Sequence, residues 1–60
     1  MSVWRILVVD DSALIRNAMQ AALEPYGVEV AHAENGAVAV DRAMSTSWDL
    51  IFLEIGRAHV

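Results

Sequence analysis

The run Ile6-Leu7-Val8-Val9, stopped at once by Asp10 and Asp11, limits this chain more than any other stretch. Four consecutive branched apolar residues fit a strand covered on both faces, as in a parallel sheet sandwiched by helices. A helical pattern opens almost immediately afterwards. The two acids therefore fall at the carboxyl end of a strand, where open α/β sheets bind their ligands. Adjacent carboxylates repel, so the pair is stable with a cation nearby, with access to water, or with one proton held. A hard divalent ion is the simplest answer, since Mg²⁺ takes one or two carboxylates and keeps water on its other positions.

The rest of the chain repeats the alternation. The first strand spans residues 4–9, and Ser12 is placed to cap the following helix, with Asp10 and Asp11 near the positive end of its dipole. No capping box forms, because the residue three positions on is Ile15. This helix runs to about residue 24. Ile15, Met19, Ala22 and Leu23 form its inward stripe, and Arg16, Asn17, Gln20 and Glu24 face water. Pro25 ends it and Tyr26-Gly27 turns the chain. Residues 28–33 alternate enough for a second strand near an edge of the sheet, Asn35 in the turn 34–36 can cap a second helix, and that helix covers residues 37–44. Its inward residues are read as Val40, Ala43 and Met44, joined by Ala39. Leu50-Ile51-Phe52-Leu53 is another fully apolar strand, again closed by an acid, Glu54.

The order is βαβαβ with short connections, which implies a parallel sheet with right-handed crossovers. If the first strand lies in the middle, the helices cover opposite faces, and Asp10, Asp11 and Glu54 converge. Such a trio suits phosphoryl chemistry: two acids hold Mg²⁺, and the third attacks as a nucleophile or helps hold the metal.

Composition narrows the classes. At 60 residues the chain is one small domain at most, of a size that buries only about 60% of its unfolded surface. A hydrophobic fraction of 57% is high for that size and suggests a segment suited to more neighbours than it has. Without cysteine there are no disulfides or Cys-based zinc sites. A net charge of -4 argues against nucleic-acid binding through this segment. No apolar run approaches a membrane span, and the N-terminal residues lack a signal-peptide pattern, so a cytoplasmic location is expected.

Residues 6–12 with Arg16, then Tyr26-Gly27, Ala33-Glu34-Asn35-Gly36 and Asp49-Leu50-Ile51-Phe52-Leu53, together resemble the first half of a receiver domain. This is the CheY-like module of two-component response regulators. The resemblance spans residues 4–53. It implies a flavodoxin-like, doubly wound parallel sheet, here incomplete, with the first strand between the second and third. It further implies that Asp10 and Asp11 bind Mg²⁺, that position 54 carries the phospho-accepting aspartate, and that the backbone carbonyl at Gly56 is a further metal ligand. The implied partners are a sensor histidine kinase or phosphotransfer protein, and the implied reaction moves a phosphoryl group from phosphohistidine to the aspartate. The module is then a signalling element, its only chemistry self-phosphorylation and autodephosphorylation.

The chain departs from that pattern in two ways. Position 54 is Glu, one methylene longer than Asp, and misplacement on that scale can cost ~10²-fold in rate. Second, the later Thr/Ser and Lys of the family have no counterpart. The string 54–60 also matches one reading frame of a widely used short-read sequencing adapter. In that frame only the first base of codon 54 belongs to the gene. That base is G, which begins every Asp codon. We therefore read residues 1–53 as a partial receiver and 54–60 as a non-native tail. The fragment itself is expected to be inactive, with weak or no cooperative unfolding.

Plainer readings exist for each residue. Asp10-Asp11 alone would serve as a helix-capping pair. His32 reads as a surface or strand-packing residue, Met19 and Met44 as helix core, Trp4 and Trp48 as covers on strand ends, and Arg16 as a solvated helix residue with room for a partner contact. His59 lies in the doubtful tail. Two other functions compete: a degenerate receiver that binds partners without phosphorylation, and a phosphatase fragment of the haloacid dehalogenase type. The latter needs Asp-x-Asp, whereas position 12 is Ser. Dinucleotide binding lacks its glycine motif.

Overall fold

A computed structural model describes residues 3–53 of the chain. Three strands, β1 (Arg5–Val9), β2 (Glu29–Ala33) and β3 (Leu50–Leu53), alternate with two helices, α1 (Ala13–Leu23) and α2 (Gly36–Ser45). The sheet is parallel throughout and ordered β2-β1-β3. This is the incomplete flavodoxin-like βαβαβ arrangement that the resemblance implied, with the first strand in the middle and the second at an edge.

β1 lies in the centre, a position its apolar sequence suits. Ile6, Leu7, Val8 and Val9 are all buried, and successive side chains of a strand point to opposite faces. Leu7 and Val9 join Ala33 and Ala39 in the core, with Ala31, Val38 and Trp48 packed against it, so α2 covers this face. The intervening residues face α1, whose Gln20 reaches His32 on β2. The helices thus lie on opposite sides of the sheet.

Local signals set the element ends. Ser12 is extended, and its hydroxyl accepts a 3.3 Å bond from Ile15 N–H. Asn35 caps α2 by accepting from Val38 N–H at 2.9 Å. α1 runs into a 3-10 turn, Glu24–Tyr26, with Pro25 in its first turn, and Gly27 stops it at φ 69°. That left-handed conformation strains any residue with a Cβ. The amino ends of the strands are fastened by Arg5, whose guanidinium pairs with Glu29 at 2.9 Å and lies over the Trp48 ring, 5.7 Å from its centre. The Arg5 N–H donates to Asp49 Oδ2.

The helix faces differ from the sequence expectation. On α1, Met19 and Leu23 are half-buried, but Ile15 and Ala22 are exposed, while Arg16 and Gln20 turn toward the sheet. On α2, Ala39 is buried and Val38 half-buried, whereas Ala43 is exposed and Val40 and Met44 are 60% and 81% exposed. α2 carries two apolar stripes, 38–39 and 40–44. Residues 38 and 40 are about 200° apart around the helix, so three strands cover only one stripe. Trp48 packs as a strand-end cover, but Trp4 is 59% exposed.

Candidate functional site

Asp10 is the buried ionisable residue at the carboxyl end of the central strand, with no exposed surface. Its backbone N–H extends the ladder to Ala33 O at 3.1 Å. Its side chain turns back toward the chain, and Oδ1 accepts a 2.9 Å bond from Ser12 N–H. Oδ2 is fully buried and has no hydrogen-bond partner among the described residues. A buried carboxylate oxygen without a partner is costly unless a proton or cation satisfies it. The donor set therefore suits a hard cation. Asp11, the next residue, is exposed and offers its carboxylate from the solvent side.

Arg16 braces the site through the backbone. One turn into α1, its Nη1 donates a 2.6 Å bond to the Asp10 carbonyl. The guanidinium thereby fixes the peptide that joins the two acids, and the bond is charge-assisted. Reading Arg16 as solvated missed this. The available signal was spacing: Arg16 and Gln20 lie four apart on the helix face that follows Ser12, and both engage the sheet end.

β3 ends level with β1, since Val9 pairs with Leu53. Glu54 and Gly56 lie outside the described residues, so of the three acids expected to converge the structure places two. No group of three His, Cys, Asp or Glu side chains gathers at metal-binding distance among the described residues. No helix among them is long and apolar enough to cross a membrane.

His32 lies on β2 one residue before its end. Its Nε2 donates to Gln20 Oε1. Burial, then the nearby positive charges of Arg16 and Arg42, hold its pKa below the ordinary imidazole value. With Arg16, Glu34, Val38 and Arg42 it lines an open depression of about 370 Å³.

Residues 6–56 match the family model described as the response regulator receiver domain. The chain is 46% identical over 52 residues to the chemotaxis protein CheY of Bacillus subtilis, covering 85% of this chain and 43% of that protein. It is 39% identical over 51 residues to the transcriptional regulatory protein ResD of the same organism, covering 85% of this chain and 21% of ResD. It is also 48% identical over 52 residues to a protein-glutamate methylesterase/protein-glutamine glutaminase of Archaeoglobus fulgidus, covering 85% of this chain and 15% of that enzyme. The chain thus spans less than half the length of each of these relatives. No solved structure matches it.

Proposed function

The chain belongs to the response regulator receiver domain family, and from that premise we propose that it is the metal-binding half of a phosphoryl-accepting switch. The observation that carries this reading is Asp10 Oδ2, buried and unpartnered at the carboxyl end of β1 beside the exposed Asp11. These two carboxylates would hold Mg²⁺. When bound, the ion would offset their mutual repulsion and the charge on a transferring phosphoryl group.

The chain's own residues do the positioning. Ser12 N–H occupies Oδ1 and so leaves Oδ2 for the cation, while Arg16 clamps the carbonyl between the two acids. The acceptor is the carboxylate at position 54. One of its oxygens attacks the phosphorus of a kinase phosphohistidine. The P–N bond breaks, its electron pair stays on the imidazole, and an acyl phosphate forms. Water later cleaves that acyl phosphate to restore the carboxylate. We further propose that the parent gene encodes Asp at position 54 and that the glutamate, like the rest of 54–60, derives from adapter sequence.

The test has two arms. Mg²⁺ added to the full chain is expected to shift the backbone amide signals of residues 10–12 saturably, and Asp10→Asn is expected to weaken this by roughly tenfold or more. Unchanged affinity in Asp10→Asn would refute the metal assignment. In the second arm, codon 54 is read from source DNA with adapter-free primers, and an Asp codon is expected there. One feature supports a second reading, a module that recognises partners without phosphorylation: position 54 is Glu. Gene sequence from source DNA that confirms Glu54 would favour it.

A further inference from the structure

The depression beside β2 adjoins the acidic pair through Arg16 and carries the opposite charge. In a chain of net charge -4, two of its four cationic side chains, Arg16 and Arg42, meet around His32. The ion pair among the described residues is Arg5–Glu29, at the other end of the sheet. Neither Arg16 nor Arg42 has a carboxylate within ion-pair distance there. Arg16 uses Nη1 on the Asp10 carbonyl, but its Nε is buried and has no acceptor among the described residues. A buried guanidinium donor without an acceptor costs free energy, as does any unmade charged hydrogen bond. His32 lies in the field of both cations. With Nε2 engaged by Gln20, Nδ1 is the nitrogen left to take a proton or a ligand. Val38 supplies the apolar part of the lining, and Glu34 is its one acid.

We propose that the Arg16–His32–Arg42 depression is a binding site for the hydrogen phosphate ion. The two guanidiniums present planar arrays of donors that match such an anion. Glu34 sets the selectivity. A carboxylate repels a fully deprotonated anion but accepts a hydrogen bond from P–OH, so phosphate, which carries a proton near neutral pH, is preferred over sulfate, which carries none. An anion here also offsets the positive field on His32, and its imidazole then takes a proton more readily.

The experiment uses the full chain in chelator-containing, metal-free buffer, which keeps phosphate from binding through a metal at Asp10 and Asp11. Inorganic phosphate is titrated at constant ionic strength against chloride while the His32 ring signals are followed by NMR. Saturable shifts and a rise in the His32 pKa are expected, with sulfate binding more weakly. Arg42→Gln should weaken phosphate binding roughly tenfold or more, while Arg5→Gln, at the opposite end of the sheet, should leave it intact. A monoester such as phosphoserine, which has lost its P–OH proton near neutral pH, should bind more weakly than free phosphate, as sulfate does. No saturation, equal binding of sulfate, or equal losses in the two arginine variants would overturn it. None of these outcomes bears on Mg²⁺ binding at the acidic pair.

Discussion

Arg16 shows how a residue that looks ordinary in sequence acquires a role from what precedes it. Its bond to the Asp10 carbonyl is charge-assisted and half-buried, and losing such a bond typically costs about 1–3 kcal/mol. Arg16→Ala is therefore expected to lower the denaturation midpoint clearly. Asn17→Ala, one exposed position on, should stay within about 0.5 kcal/mol of the parent. Chemical denaturation of the two variants side by side makes the check. His32 adds a pH dependence. Its folded pKa lies below the unfolded value, so the unfolded chain takes up the proton first as pH falls. The stability linked to His32 is complete above about pH 6.5 and is lost as pH drops below that value toward the folded pKa. Denaturation midpoints at about pH 7.5 and 5.5 should differ less in His32→Gln than in the parent. The acidic pair was legible in sequence because it interrupts an apolar run. The contacts of Arg16 and Gln20 were not, because an amphipathic reading assigns charged and amide side chains to water and cannot see a strand end beside the helix.

At the level of elements, the strands were read closely and the helix ends nearly so. Four apolar residues in a row suit a strand covered on both faces, as β1 is; its central position came from the family resemblance, since Leu50 to Leu53 is just as apolar and lies at an edge. Ser12 and Asn35 were read as caps because their side chains accept the first free N–H groups of a helix, and both do. Asn35→Ala is expected to cost about 0.5–2 kcal/mol, with the loss seen as faster amide exchange in the first turn of α2. Orientation was harder. α2 offers apolar residues on two sides, and periodicity alone gives no preference between 38–39 and 40–44. The sheet selects the small pair, since Ala39 lets the helix come close to Leu7 and Val9.

Across the whole molecule, the missing neighbours show as exposed apolar surface. Leu50, Ile51 and Leu53 on β3 are 40%, 42% and 59% exposed. β3 is an edge strand among the described residues, and exposed apolar edges pair with other chains. Leu53→Lys should reduce concentration-dependent light scattering several-fold while leaving β1 and β2 paired. The chain as a whole is expected to melt over a broad range without a sharp transition; a sharp calorimetric peak from the monomer would contradict this. Asp10 and Asp11 were placed from sequence at the end of the first strand, where the structure has them; position 54 lies outside the described residues. The order β2-β1-β3 also bears on synthesis. Arg5 meets Glu29 across 24 positions and Asp49 across 44, so the central strand, made first, lacks one neighbour until β2 is made and the other until β3 is. Ile6 to Val9 therefore wait with two open edges and then with one while the later strands are synthesised, which makes this a fold that a nascent-chain chaperone would meet before it meets itself.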